Sequence, residues 1–280
     1  MHQRISLIAL ISAVLITGTV YAEPLRLSWA DNILTIRDAR ISGGELKVWY
    51  LEDYCRPGAH TADWHDTTIG HSTTLVSASE DGQRLKLRCE LRDGVIVHHE
   101  ITAGKDVVDF QLTVHNPTGK VSQAHWAQPC IRVGTFTGTG PEHSDDKYAY
   151  IRKSFIFLDG KLTQLPCADW ATEAKYVPGQ VWAGPGVPDA DVNPRPLNPK
   201  RPSNGLIGCY SADGSMIMAT AWDPWHELFQ GVIRCLHSDF RIGGLAPGER
   251  KKIHGKIYLL PADIPALLAR YAEDFAADKD

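Results

Sequence analysis

Beyond residue 22, apolar and polar residues alternate with a period of two along most of the chain. That period is the mark of strands with one buried face. The clearest case is Val107–His115, where Val108, Phe110, Leu112 and Val114 fall on one face and Asp109, Gln111, Thr113 and His115 on the other. This pattern predicts a half-buried antiparallel strand. The same reading predicts strands at Leu25–Trp29, Ile33–Arg37, Leu46–Leu51, Ser72–Ser79, Arg84–Leu91, Val95–Ile101, Ala124–Val133, Lys153–Leu158, Leu206–Ser211, Met216–Trp222, Gly231–His237 and Lys252–Leu260. Asp31-Asn32, Asp81-Gly82, Asp93-Gly94, Asp159-Gly160 and Asp213-Gly214 fall between runs and read as turns, since such pairs accept the left-handed backbone of tight hairpins. Ala246-Pro247-Gly248-Glu249 fits a type II turn. One helix is predicted near the C-terminus, capped by Asp263, with Pro265 in its first turn and an apolar stripe of Leu267, Leu268, Tyr271 and Phe275. Many antiparallel strands and one late helix predict an all-β fold, a large antiparallel β-sandwich. No blade motif repeats, which argues against a propeller.

Two stretches break the alternation. At the start, Arg4 precedes an almost wholly apolar run from Ile5 to Val20, and small residues follow at Val20-Tyr21-Ala22. This predicts a signal peptide at 1–22, cleaved after Ala22, and a periplasmic or extracellular protein. The run is short for a membrane span, and no later segment is apolar enough to cross a bilayer. The second break is 136–204, with eight prolines between Pro166 and Pro202. Strands resume afterwards in the same style, so residues 23–280 read as one domain. The Pro-rich stretch then reads as a long excursion over one sheet face, of the kind that builds binding walls.

Charge excludes one class of partner. With 29 basic and 33 acidic residues the chain is mildly acidic. It carries no basic block, so nucleic acid is not expected as a partner. The six cysteines, Cys55, Cys89, Cys130, Cys167, Cys209 and Cys235, form no CxxC pair. An exported chain of this size is compatible with one or two disulfides or with none.

The candidate chemistry is polar and aromatic. In Gly231–Glu249 a buried strand is predicted to deliver His237 and Asp239 to its end, and a histidine beside a carboxylate suits acid–base work near neutral pH. His125 lies on a strand with Trp126 and Gln128 on the opposite face and Pro129 interrupting the ladder, as at an edge or bulge. Trp222-Asp-Pro-Trp225-His226-Glu227 reads as a turn joining aromatic faces to ionisable groups. His60, Asp63, His65, Asp66 and His71 cluster in a turn-rich loop, but their spacing matches no stiff metal motif. They are expected at a pocket rim. His99 reads as a core histidine, whereas His98, His115 and His254 read as solvent-facing.

Three of these features together resemble the galactose mutarotase-like (aldose 1-epimerase-like) superfamily. They are the meander ending in Thr113-Val-His-Asn116-Pro-Thr, the following strand with His125 before an aromatic residue, and Gly231-Val-Ile-Arg-Cys-Leu236 with the Leu245-Ala-Pro-Gly-Glu249 turn. The resemblance spans most of Ser72–Leu260 in pattern. It implies a divergent β-supersandwich acting on carbohydrate without a cofactor. In that family a glutamate takes the anomeric hydroxyl proton and a histidine protonates the ring oxygen, and His125 matches the histidine. Where the glutamate should follow Cys235-Leu236, this chain has His237, with Asp239 and Glu227 the nearest carboxylates in sequence.

The resulting expectation is an exported carbohydrate-active protein working at or near a sugar's anomeric centre. His125 is the expected acid and His237 the base or its orienting partner. Asp239 or Glu227 is expected to stabilise the charged histidine. Trp126, Trp222 and Trp225 are expected to line the pocket, with Gln128, Arg132 and His71 beside them. No metal is assigned. The alternative classes are a non-catalytic glycan-binding module of the cell envelope and a metal-dependent hydrolase built on His60, His65 and His71.

Overall fold

The computed structural model describes residues 23–58, 63–140, 146, 148–167, 181–192, 197–231 and 233–276. The expected signal peptide at 1–22 and His60 therefore lie outside the described residues. In chain order the strands are β1 (Arg26–Ala30), β2 (Ile33–Arg37), β3 (Glu45–Trp49), β4 (Tyr54–Cys55), β5 (Thr68–Ile69), β6 (His71–Ala78), β7 (Arg84–Leu91), β8 (Ile96–Ala103), β9 (Val107–His115), β10 (Trp126–Ala127), β11 (Cys130–Arg132), β12 (Ser154–Leu158), β13 (Lys161–Gln164), β14 (Val181–Ala183), β15 (Ile207–Tyr210), β16 (Met216–Asp223), β17 (Trp225–Gln230), β18 (Cys235–Arg241) and β19 (Arg250–Pro261). Among the described residues there are also a single-turn helix, α1 (Trp64–Thr67), the longer α2 (Ile264–Asp274) and a short 3-10 turn at Ala149–Lys153.

The strands form two antiparallel sheets. The smaller has nine strands in the order β13-β12-β15-β16-β19-β9-β8-β7-β6. The larger has ten and is built around β18. One edge of β18 pairs with β17, which pairs in turn with β14. Its other edge pairs with β11 over Cys235–His237 and with β10 at Phe240 and Arg241. Beyond those short strands lie β3 and β4. Pro129 explains the gap between β10 and β11, because a proline cannot donate to a ladder.

The hairpin and meander follow the predicted alternation. In the β1–β2 hairpin, Asp31 and Asn32 sit at φ 53° and 59°, as the two central residues of a type I′ turn require. In β9, Val108, Phe110, Leu112 and Val114 are all buried. Burying side chains of this size stabilises by about 1.5–3 kcal/mol each. They join Leu85, Leu87, Val97 and Ile101 in a core that also takes Val48, Leu236 and Phe240 from the larger sheet. The outer face of the smaller sheet is covered by α2, where Leu267 and Phe275 pack on Phe155, Ile217 and Tyr258. Asp263 caps α2 by accepting from the Ala266 amide at 3.0 Å, as its position in the sequence predicts.

Several expectations change. His237 and Asp239 lie in the middle of a strand rather than at its end. At the predicted strand start, Gly231, Ile233 and Arg234 instead belong to the β17–β18 turn, closed by Gly231 N–H donating to the Cys235 carbonyl at 2.8 Å, with Arg234 at φ 53°. The turn expected in Trp222–Glu227 is the corner where the chain passes from β16 in the smaller sheet to β17 in the larger, through a cis Asp223-Pro224 bond. Within 136–204 the chain adds β12 and β13 to the smaller sheet and β14 to the larger. His254 is not free in solvent: its Nε2 lies 2.8 Å from Asp109 Oδ1 across the β19–β9 pair.

Candidate functional site

The site is the outer face of the larger sheet, and strand register places its members. Along β18 the residues Leu236 and Phe240 join the core, so the period of two turns Cys235, His237, Asp239 and Arg241 outward. Across the sheet Cys130 pairs with both Trp49 and His237. Trp49, Cys130, His237 and Phe229 therefore form one row across β3, β11, β18 and β17. Lys47, Arg132 and Cys235 form the next. Glu227 pairs with Asp239 on the other side of the first row, and Trp126 pairs with Arg241 one step further on.

A bulge adds one more residue to this face. Trp225 pairs with Phe240 and Glu227 with Asp239, so β17 spends two steps where β18 spends one, and His226 is the extra residue. Bulges re-aim side chains. Here the imidazole of His226 stacks on Trp126 at 4.9 Å and lies 3.1 Å from the Arg241 guanidinium. The chain at 181–192 folds over this end of the face. Val187 and Val192 pack with Val181, Ala183 and Phe229, and the Asp191 carbonyl lies 3.3 Å from His226 Nε2.

At the centre, His237 is held at both nitrogens. Asp239 Oδ1 lies 3.2 Å from Nδ1, and Cys235 Sγ lies 3.4 Å from Nε2. Phe229 stacks on the ring at 4.2 Å. Gly231 makes the arrangement fit, because a Cβ there would stand 2.1 Å from Cys235 Sγ. The two thiols divide their protons: a hydrogen bond with Cys130 holds Cys235 well below the usual thiol range, and the same bond raises Cys130. Burial alone would favour neutral His237, yet the Cys235 thiolate and the Asp239 carboxylate raise it well above the usual histidine value. The result is a histidine whose charged form is favoured by the groups at both of its nitrogens. Asp239 is pushed up by burial and pulled back by His237 and the Gln128 amide.

Two carboxylates missed by sequence reasoning stand at the rim. Glu52 and Asp53 follow β3 and are partly exposed, whereas His237 is 3% exposed and Asp239 0%. Burial raises Glu52 to about 7 against the lowering effect of His237, and raises Asp53 to about 6. A carboxyl poised near 7 can both accept and return a proton at neutral pH. Trp49 and Arg132, both partly exposed, complete the rim, with the guanidinium 5.6 Å from the indole ring centre. Glu52 and Trp49 were hidden because each reads as an ordinary residue at the end of an alternating strand.

The remaining candidates do not converge on this centre. His125 sits at the level of Ile242, just past the end of β18 and five residues from His237, a separation of about 16 Å at the rise of a strand. Its ring faces Gly244, and burial lowers its pKa. Trp222 is a core residue, packed against Phe110 and Phe240 with Gly255 beneath its ring. Trp225 pairs with Phe240 and packs over Gly205, so it too belongs to the interior. Neither tryptophan offers a face to a ligand. His71 lies edge-on to Tyr54 at 5.2 Å, and burial lowers its pKa. Asp63 caps α1 by accepting from His65 N–H at 3.0 Å, which accounts for part of the expected loop cluster. Glu227, Gln128, Trp126 and Arg132 do lie on the outer face, with Glu227 fully buried.

The residues that carried the family resemblance outside the site are structural. Asn116 is buried, and its side-chain amide donates to the Leu245 and Ala246 carbonyls at 3.1 Å each, tying the end of β9 to the Pro247-Gly248 turn.

No protein-family model matches the chain, and no curated protein matches it. Solved structures do. The chain is similar to a putative aldose 1-epimerase from Escherichia coli K12, with a TM-score of 0.42 and 11% identity over 84% of this chain and 98% of that one. It is similar to the Slr1438 protein from Synechocystis sp. PCC 6803, with a TM-score of 0.47 and 9% identity over 90% and 99% of the two chains. It is also similar to a galactose mutarotase-like protein from Lactobacillus casei ATCC 334, with a TM-score of 0.40 and 9% identity over 84% and 99%. The fold class itself rests on the two antiparallel sheets.

Proposed function

We propose that this chain is a carbohydrate-active enzyme whose working surface is the outer face of the larger sheet, with Glu52 as the proton-transferring group. The reading is carried by a partly exposed carboxyl, Glu52, that burial raises to about 7 beside a buried histidine whose charged form Cys235 and Asp239 favour. In this scheme Glu52 accepts a sugar hydroxyl proton and returns one. His237, fixed by Asp239 and Cys235, supplies a positive charge that favours the Glu52 anion when it forms. Trp49 offers an aromatic surface to the apolar face of a pyranose ring, and Arg132 and Asp53 offer hydrogen bonds to hydroxyls. The sequence resemblance to galactose mutarotase-like proteins supports a sugar as substrate and the anomeric centre as the place of reaction. The replacement of that family's glutamate by His237 moves the base to Glu52. The leader at 1–22 supports export, with Glu23 expected as the first residue of the mature protein.

The test is a panel of mono- and oligosaccharides scored for binding and for product by NMR. Binding that weakens about tenfold or more in Trp49→Ala supports the platform. Unchanged binding in that variant removes it. The burial of Asp239 and Glu227 favours a second reading, glycan binding without turnover. It predicts a ligand in the same panel and no product at any pH.

A further inference from the structure

We propose that Cys130, Cys235 and His237 form a binding site for a thiophilic divalent cation, zinc(II), on the outer face of the larger sheet. One sulfur from each cysteine and one imidazole nitrogen all lie within 4.8 Å of one another, and all three residues are buried. Bond lengths of about 2.3 Å to sulfur and 2.0–2.1 Å to nitrogen put tetrahedral ligands about 3.6 Å (S to N) and about 3.8 Å (S to S) apart. The Cys235 Sγ to His237 Nε2 distance is 3.4 Å, so these two already stand near ligand spacing.

Three further features fit a cation. Asp239 engages His237 through Nδ1 at 3.2 Å, which directs Nε2 toward the sulfurs. A carboxylate behind the non-ligating nitrogen is the usual brace of a metal-bound histidine. The donors come from β11 and β18, which are directly paired, so register rather than loop flexibility sets their spacing. Gly231 leaves room for Cys235 Sγ, where any side chain would strike it. Thiolate and imidazole donors select zinc over magnesium or calcium, which prefer oxygen. With three protein ligands the fourth position remains for water or a substrate oxygen. This site is separate from the His60, His65 and His71 loop considered in the sequence.

The inference is tested apart from the Glu52 reading, because its readout is metal content and not turnover; zinc here would take the Nε2 position of His237 in place of a proton. The experiment is metal analysis of the full chain, purified without chelator and dialysed against zinc and then metal-free buffer. About one zinc per chain is expected. Cys130→Ser and Cys235→Ser are each expected to weaken zinc at least about 100-fold, and Asp239→Asn about 10–100-fold. Cys209→Ser, a buried thiol on the smaller sheet, serves as the control with unchanged retention. Cobalt(II) loading of the unaltered protein reads the same site without substitution, and thiolate-to-cobalt charge transfer with tetrahedral visible bands is expected. Zinc retention equal in the wild type and both serine variants overturns the proposal. So does a cobalt spectrum without thiolate bands, or a Cys130–Cys235 disulfide in the peptide map.

Discussion

Gly231→Ala perturbs the centre of the site without replacing any ionisable side chain. The added Cβ would stand 2.1 Å from Cys235 Sγ and 3.3 Å from His237 Nε2. Ordinary carbon–sulfur contact is close to the carbon–carbon optimum of about 3.5–4.0 Å. The sulfur must therefore retreat by roughly 1.5 Å, which breaks its 3.4 Å contact with His237. Overpacking of this kind costs about 1–3 kcal/mol. At a urea slope of about 3 kcal/mol/M, the midpoint falls by roughly 0.3–1 M. Loss of the imidazolium contact also raises the Cys235 thiol toward its ordinary range, read as a shift of the thiolate absorbance titration to higher pH. Gly119→Ala is the control, since nothing lies within 4 Å of that position, and surface changes of this kind stay within about 0.5 kcal/mol. The reasoning fails if Gly231→Ala matches Gly119→Ala in urea midpoint and the thiolate titration does not move.

Other outcomes follow from the same geometry. Trp222→Ala removes a core side chain resting on Phe110 and Phe240 and should cost about 3–5 kcal/mol; at temperatures where the variant is folded, glycan binding should match wild type, and a selective binding loss would return Trp222 to the site. His237 has a folded pKa above its unfolded value of about 6.5, so its contribution to stability is full below about pH 6.5 and is lost as pH rises through the folded value. Urea midpoints should therefore decline on the alkaline side in the wild type and decline less in His237→Gln; parallel curves would contradict the charged pair. Asp263→Ala should cost about 1 kcal/mol by removing the cap of α2, and an unchanged melting temperature would show that the cap is dispensable.

What could be read in the sequence was what depends on local alternation. The β9 face, the Asp31-Asn32 turn and the Asp263 cap were legible because each is set within a few residues. The site was only half legible. His237 and Asp239 could be singled out because they share one strand at a spacing of two. Trp49 and Cys130 were missed because cross-strand register brings them to His237, and register between distant segments leaves no local mark; Glu52, past the end of β3, was missed because only the folded chain sets it near His237. Trp222 and Trp225 misled for a related reason. A Trp-Asp-Pro-Trp run reads as an exposed aromatic turn, but the cis Asp223-Pro224 corner joins two sheets and turns both indoles inward. His125 was placed by resemblance to a motif, whereas pairing put it at the level of Ile242, away from the centre.

The central claim is that Glu52 moves the proton, and its most direct test is anomer exchange followed by NMR across an aldose panel, comparing wild type with Glu52→Gln. The account predicts that the wild type accelerates exchange of at least one sugar with a pH dependence centred near 7, the value of Glu52. Glu52→Gln should lower that rate by about 10²- to 10⁴-fold with sugar binding retained. An equal rate in the two proteins, or a wild type that accelerates no sugar, contradicts it.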